Sequence, residues 1–178
     1  MNIITSTPLE GCFVLEPQVF GDTRGSFMES YNEQKFPVNV HFVQDNQSIS
    51  QKGVLRGLHF QKGEHAQAKL VRVIRGEVLD VAVDIRPGSK TFGQHFSIVL
   101  NATNNKQLFV PRGFAHGFAV LEDDTIFAYK CDNFYNKKAE SGIIYNDPDI
   151  AIDWMLDEEE IMLSDKDKLL PNLKTLVL

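Results

Sequence analysis

The stretch Lys69-Leu-Val-Arg-Val-Ile-Arg75, which continues through Gly76 into Glu77-Val-Leu-Asp-Val-Ala-Val-Asp-Ile85, decides the fold class. Both halves are rich in Val, Ile and Leu, residues that pack well on the pleated surface of a β-sheet. Glycine adopts turn conformations that other residues avoid, so Gly76 is expected to separate two strands by a tight turn. The sequence therefore predicts strands over 69–75 and 77–85.

Side chains alternate between the two faces of a strand, and this alternation assigns residues to faces. In the first strand, Lys69 shares a face with Val71 and Val73. In the second, Asp80 and Asp84 share a face, opposite a purely apolar one. A later strand is expected to direct three side chains to one side, namely Thr125, Phe127 and Tyr129.

Four further strands are expected, over 96–100, 107–110, 117–121 and 125–130. Many short strands separated by regular turn signals are typical of β-sandwiches and barrels, and the 13 Phe residues suit a packed interior between two sheets. Near the C-terminus, Ser164 is expected to cap a short helix. The sequence shows neither a repeat nor an interdomain linker, so a single all-β domain is predicted over residues 1–178.

The composition is that of an ordinary globular protein, with 43% hydrophobic and 24% charged residues. The 18 basic and 24 acidic residues give a net charge of −6, which argues against general nucleic-acid binding but not against a small anionic ligand. Cys12 and Cys131 are too few for a disulfide framework. No apolar run approaches the roughly 20 residues of a membrane helix, and residues 1–10 lack a secretion signal, so a cytoplasmic location without membrane contact is expected.

Two glycine-rich stretches contain residues suited to chemistry. Gly53-Val-Leu-Arg-Gly-Leu-His-Phe-Gln61 combines Arg56, which suits anion binding, with His59, which suits proton transfer near neutral pH. Pro111-Arg-Gly-Phe-Ala-His-Gly117 resembles the second cupin motif, which lies near the mouth of a jelly-roll barrel. A jelly roll that carries a proton-transfer site is therefore the first functional hypothesis.

Many cupins bind a transition metal, and their first motif supplies two His one residue apart together with a Glu. Here Gln61 stands where the second His would be, and no Glu falls at the expected distance. Catalytic metal sites generally need about three protein ligands, whereas His59 and His116 are only two. We therefore expect no metal, and a site that moves protons while cations hold an anionic substrate.

A series of motifs in order resembles the dTDP-4-dehydrorhamnose 3,5-epimerase family. The motifs are Phe20-Gly-Asp-Thr-Arg-Gly25, Glu29-Ser-Tyr31, Phe42-Val-Gln-Asp-Asn46, Gly53 to Gln61, Ala68-Lys-Leu-Val-Arg72, Gly76-Glu-Val78, Asp80-Val-Ala-Val-Asp-Ile-Arg86, Pro111 to Gly117 and Tyr129-Lys130. The resemblance extends from about Leu9 to Asp167. It implies a cupin-type jelly roll with a few short helices, mainly C-terminal, that works as a homodimer without metal or organic cofactor.

The resemblance also implies catalytic roles. His59 is the implied base, and Asp167 hydrogen-bonds its far nitrogen. Lys69 stabilises an enolate oxygen, and Tyr129 donates a proton from the opposite face of the sugar. Asp84 competes with Asp167 as the carboxylate beside His59, because its strand face could point inward.

Binding residues follow from the same resemblance, for a dTDP-4-keto-6-deoxysugar as substrate. They are Arg24, Glu29, Gln44, Asp45, Asn46, Arg56, His116, Tyr135, Glu140 and Lys166. Tyr135 matches an aromatic that stacks on the thymine base, and the partner subunit is implied to supply Arg24 and Glu29. Lys168 competes with Lys166 for its role. Arg24, Arg56, Lys69 and Lys166 could form a positive pocket on an acidic protein.

The implied activity is the 3,5-epimerisation of dTDP-4-dehydro-6-deoxy-D-glucose to dTDP-4-dehydro-L-rhamnose, in dTDP-L-rhamnose biosynthesis. One alternative is a relative that inverts only C3 or only C5 of a related sugar. Others are a metal-dependent cupin enzyme and a non-catalytic sugar-nucleotide-binding cupin. The presence of both a candidate base and a candidate acid argues against the last of these, because binding requires neither.

Overall fold

The computed structural model describes residues 3–176, whose strands form two large antiparallel sheets and one separate hairpin. The strands are β1 (Ile3–Ser6), β2 (Phe13–Glu16), β3 (Val19–Asp22), β4 (Gly25–Met28), β5 (Gln44–Ser50), β6 (Leu55–Gln61), β7 (Lys69–Arg75), β8 (Glu77–Asp84), β9 (His95–Asn101), β10 (Gln107–Val110), β11 (Phe114–Val120), β12 (Thr125–Cys131) and β13 (Glu140–Gly142). The six-stranded sheet has the order β1-β2-β10-β7-β12-β5, the five-stranded sheet has the order β13-β6-β11-β8-β9, and β3 pairs with β4. The prediction of an all-β, cupin-type jelly roll is confirmed.

The main core lies between the two large sheets. Val71 and Val73 of β7 and Phe127 of β12 pack there with Phe114 and Phe118 of β11. The Phe118 and Phe127 rings stack with their centroids 4.0 Å apart. Burying a side chain of this size typically contributes about 1.5–3 kcal/mol, so this contact helps to fix the distance between the sheets.

Gly76 is the point at which the chain crosses between the sheets. β7 pairs with β10 and β12, whereas β8 pairs with β11 and β9, so the predicted tight turn does not form a hairpin. Gly76 has φ +77°, and a Cβ atom there would collide with Thr125. The crossing therefore requires glycine both for its backbone conformation and for the close approach of β12.

The C-terminal segment covers the outer face of the five-stranded sheet. Leu79, Val81 and Val83 of β8 pack there against Ile143 and Trp154. This confirms the predicted alternation along β8, because Val78 and Ala82 instead face the core between the sheets.

The short helices are all single 3₁₀ turns. They span Glu33–Lys35, Gly63–His65, Glu158–Glu160, Asp167–Leu169 and Leu173–Thr175. The predicted helix near Ser164 therefore begins at Asp167 instead, although the Ser164 hydroxyl does accept a hydrogen bond from the Asp167 amide at 3.1 Å. Among residues 3–176, no helix is long and apolar enough to cross a membrane.

A strap formed by residues 157–170 lies beside β6 and closes one side of the sandwich. Its Met162 amide donates to the Gly53 carbonyl at 2.8 Å, and the Leu55 amide donates to the Met162 carbonyl at 3.0 Å. Because Leu55 is the first residue of β6 and Gly53 lies two residues before it, these bonds fix the strap against the strand that carries His59.

Candidate active site

A cavity of about 640 Å³ lies between the two sheets, under the strap. The sequence-predicted residues that line it are Asn46, Arg56, His59, Lys69, His116, Tyr129, Lys166 and Asp167. An adjoining pocket of about 240 Å³ shares Asn46, His59, Lys69 and Tyr129 with it and adds Gln44, Tyr135 and Glu140. The shared residues make the two pockets one continuous cleft.

His59 and Asp167 form a hydrogen-bonded pair at the cavity wall. The distance between His59 Nε2 and Asp167 Oδ1 is 2.5 Å, although the two residues are 108 positions apart. Burial would raise the pKa of Asp167, but the bond from His59, the charge of that ring and the bond from Ser164 lower it overall. The carboxylate is therefore held ionised beside the ring.

Asp84 is engaged elsewhere. Its carboxylate accepts hydrogen bonds from Arg86 Nε at 2.9 Å, Ser89 Oγ at 2.6 Å and Thr91 Oγ1 at 2.6 Å. Of the two aspartates that the sequence left open, Asp167 is thus the one in contact with His59. Asp84 instead holds the loop that follows β8.

Lys69 and Tyr129 extend from the six-stranded sheet into the same cavity. Lys69 Nζ lies 5.8 Å from the centre of the Tyr129 ring. Burial lowers the pKa of Lys69, against the opposing charges of Asp80 and Glu140, and burial raises the pKa of the Tyr129 hydroxyl. Among residues 3–176 the Lys69 ammonium has no ion-pair partner, so it is available to an anionic group on a ligand.

His116 is the direct neighbour of His59 across the β6–β11 pair. Its Nε2 lies 3.0 and 3.1 Å from the two carboxylate oxygens of Asp80, which is fully buried on β8. Burial lowers the pKa of His116, although Asp80 acts in the opposite direction. The sequence analysis assigned no role to Asp80; the available signal was an aspartate that, like Asp84, shares a strand face with Val78 and Ala82.

A hydrogen-bonded group surrounds the mouth of the cleft. Glu140 accepts a bond from the Tyr135 hydroxyl at 2.9 Å and pairs with Lys166 Nζ at 2.5 Å. The Tyr135 amide donates to Gln44 Oε1 at 3.0 Å, and the Tyr135 side chain is exposed. Lys168 pairs instead with Asp165. Lys166 is therefore the lysine at the cleft, and Tyr135 presents an aromatic face beside it.

Gln61 borders the adjoining pocket, but its side-chain amide is engaged by the protein itself. Its Nε2 donates to the carbonyls of His65 and Phe134 at 2.7 and 3.2 Å, and its Oε1 accepts from the Asn136 amide at 2.5 Å. These bonds use its amide to hold the loop that carries Tyr135. In the part of the chain that the structure describes, no three His, Cys, Asp or Glu side chains are grouped to hold a metal ion.

Three predicted binding residues lie away from the cavity of their own chain. Asp45 is on the opposite face of β5 from Gln44 and Asn46, where it pairs with Lys130 at 2.9 Å. Arg24, in the turn of the β3–β4 hairpin, pairs with Asp22 at 2.5 Å, and Glu29 pairs with Lys35 at 3.0 Å.

Comparison with known proteins identifies the family of this chain. The sequence profile of the dTDP-4-dehydrorhamnose 3,5-epimerase family matches residues 6–175. The dTDP-4-dehydrorhamnose 3,5-epimerase of Escherichia coli K12 is 51% identical over 181 residues, which cover 99% of this chain and 97% of the relative.

Two crystal structures have the same TM-score when compared with this chain. That of dTDP-4-dehydrorhamnose 3,5-epimerase from Elizabethkingia anophelis NUHP1 has a TM-score of 0.94 and 54% identity and covers 97% of both chains. That of a dTDP-6-deoxy-D-glucose-3,5-epimerase from Legionella pneumophila Philadelphia 1, in complex with dTDP-4-keto-L-rhamnose, has a TM-score of 0.94 and 46% identity and covers 99% of this chain and 95% of its own. The chain therefore belongs to the dTDP-4-dehydrorhamnose 3,5-epimerase family.

Proposed function

We propose that this protein converts dTDP-4-dehydro-6-deoxy-D-glucose to dTDP-4-dehydro-L-rhamnose by inverting C3 and C5, without a cofactor. The observation that carries the proposal is the His59–Asp167 pair, which shares one cavity with Lys69 and Tyr129. Membership of the epimerase family and a relative crystallised with dTDP-4-keto-L-rhamnose support the substrate class.

The His59–Asp167 bond supports His59 as the base. A ketone at C4 acidifies the C–H bonds at C3 and C5, so the first step is removal of one of these protons. His59 Nε2 donates its hydrogen to Asp167, which leaves Nδ1 to take the substrate proton. The charge of the Asp167 carboxylate then stabilises the imidazolium that forms, as in other catalytic His–carboxylate pairs.

Lys69 and Tyr129 complete the reaction from the other sheet. The ammonium of Lys69 stabilises the negative charge that develops on the C4 oxygen in the enolate. Tyr129 lies on β12 of the six-stranded sheet, whereas His59 lies on β6 of the five-stranded sheet. The proposed acid and base therefore lie on opposite walls of the cavity, an arrangement that supports inversion of a carbon centre.

The nucleotide occupies the mouth of the cleft. Arg56 lines the cavity with one terminal nitrogen 3.2 Å from Ser50 Oγ, and Lys166 lies on the strap side. These cations suit a pyrophosphate, and the exposed ring of Tyr135 suits stacking on thymine. A protein of net charge −6 can thus bind an anion through a local positive group.

The functional unit in this proposal is a homodimer. The β3–β4 hairpin is exposed along its length, with the Phe27 side chain 70% and the Phe20 side chain 55% accessible. Exposed aromatic residues of this kind often mark a protein interface. The hairpin also carries Arg24, so association would bring that side chain to the cleft of the partner subunit.

The test is incubation with dTDP-4-dehydro-6-deoxy-D-glucose in D₂O, followed by NMR of the sugar. Deuterium at both C3 and C5 with formation of the L-rhamno product is expected. Incorporation at one centre would identify a mono-epimerase, and none at either would refute the proposed chemistry. Activity that disappears on chelation and returns with metal would instead identify a metal-dependent cupin enzyme.

A further inference from the structure

Asp80 is a buried carboxylate that the proposed reaction does not use. It is fully buried, and both of its oxygens lie within hydrogen-bond distance of His116 Nε2, at 3.0 and 3.1 Å. A carboxylate only accepts hydrogen bonds, so Nε2 must carry the hydrogen. His116 lines the cavity, and its other ring nitrogen, Nδ1, has no hydrogen-bond partner within residues 3–176.

We infer that Asp80 is a positioning residue that holds His116 in the Nε2–H tautomer, so that Nδ1 accepts a hydrogen bond from a hydroxyl group of the bound sugar. The identity of the ligand as a sugar rests on the proposed function. The tautomer of the ring does not, because it follows from the contact with Asp80 alone.

Burial favours the neutral form of His116. Burial lowers its pKa, and the nearby charges of Lys69 and His59 act in the same direction, whereas Asp80 opposes them. A neutral imidazole with its hydrogen on Nε2 has a lone pair on Nδ1. Lys69 therefore supplies the donor for an oxyanion, and His116 supplies an acceptor. In this proposal Lys69 contacts the C4 oxygen of the sugar, and His116 contacts one of its hydroxyl groups.

Asp84 provides a matched comparison on the same strand. It is also fully buried and lies on the same face of β8 as Asp80. Its partners are Arg86, Ser89 and Thr91, none of which lines the cavity. Loss of charge at Asp84 thus tests the cost of neutralising a buried aspartate without a change at the cavity.

The experiment compares wild type, Asp80→Asn and Asp84→Asn. In ¹⁵N-histidine-labelled protein without substrate, we expect His116 of wild type and of Asp84→Asn to carry its proton on Nε2 at neutral pH. In Asp80→Asn the preference for Nε2–H should weaken, because an amide can either accept from Nε2 or donate to it, whereas a carboxylate can only accept. The kcat/KM of Asp80→Asn should fall on the order of 10- to 100-fold, whereas that of Asp84→Asn should stay near the wild-type value.

Protonation of wild-type His116 on Nδ1, or on both nitrogens, would overturn the inference even if Asp80→Asn does not fold. An Asp80→Asn protein that folds and keeps the wild-type kcat/KM would overturn it as well. These results differ from failure of the proposed function, in which wild type itself would neither exchange nor invert the sugar.

Discussion

His59 and His116 lie directly opposite each other on β6 and β11, yet each ring is bonded to a separate carboxylate. The His59 side chain is 28% exposed and contacts Asp167 of the strap, whereas the His116 side chain is 6% exposed and contacts Asp80 of β8. Because burial disfavours the charged form of an imidazole, the more exposed ring is better suited to take a proton. The two neighbours therefore suit the different roles that we propose, with His59 as the base and His116 as a neutral ligand contact.

Replacement of His59 by Ala should reduce deuterium exchange at C3 and C5 by on the order of 10²- to 10⁴-fold, because a positioned base is lost. NMR of the sugar in D₂O measures this directly. His41→Ala is the matched control, since His41 is exposed, pairs with Glu33 and does not line the cavity. Wild-type exchange in a folded His59→Ala protein would show that another group is the base.

Replacement of Tyr129 by Phe should separate exchange from inversion. His59 can still remove a proton from its own face and return deuterium to that face, but the opposite wall no longer has an acid. We expect deuterium in the recovered sugar with its original configuration and little L-rhamno product. NMR coupling constants distinguish the two configurations. Product formation at the wild-type rate would exclude Tyr129 as the proton donor.

Much of the fold could be predicted because periodicity and turn residues act locally. The predicted strands 69–75 and 107–110 match β7 and β10 residue for residue, and the faces along β8 were also assigned correctly. The sheet to which each strand belongs could not be predicted in this way. Gly76 indicates a turn, but pairing with β11 or β12 depends on residues about 40 to 55 positions later, which local pattern does not encode.

In the site, too, local motifs could be recognised from the sequence, whereas contacts between distant residues could not. His59 and His116 lie within glycine-rich motifs, so their importance could be inferred from the sequence. The partner of His59 could not be decided, because Asp167 reaches it through the strap while Asp84 lies on an equally plausible strand face. Asp80 was not recognised because its partner, His116, is 36 positions away and only the β8–β11 pairing brings the two together.

The strap should depend on glycine at position 53. Gly53 has φ +90°, and a Cβ atom there would collide with the carbonyl oxygen of Glu160. Gly88 has a similar φ of +79° but no atom within 4 Å of such a Cβ. Gly88→Ala should therefore lower the unfolding free energy by the backbone cost alone, about 1–2 kcal/mol. Gly53→Ala should lower the unfolding free energy by more than this, and it should also lower kcat. Equal effects of the two variants in denaturant unfolding would show that the strap contact is unimportant.

Stability should fall in acid, and Asp84 should account for part of this. Burial alone would raise the pKa of Asp84, but hydrogen bonds from Arg86, Ser89 and Thr91 lower it well below its ordinary value. A lowered folded-state pKa contributes stability above the unfolded-state pKa, about 4, which is lost as the pH falls toward the folded-state value. The difference in Tm between wild type and Asp84→Asn should therefore be largest at neutral pH and shrink below about pH 4. A difference that is constant with pH would refute this assignment.

If Arg24 acts in the partner's cleft, two inactive variants should restore activity to each other. In a heterodimer of His59→Ala and Arg24→Ala protomers, the Arg24→Ala protomer keeps its own His59 and receives Arg24 from its partner. One intact site of two should form, so doubly tagged heterodimers should have about half the activity of wild type, well above either homodimer. The matched control pairs His59→Ala with Arg56→Ala, because Arg56 lines the cavity of its own chain and both sites stay defective. Heterodimers of His59→Ala and Arg24→Ala as inactive as this control would place Arg24 outside the partner's site.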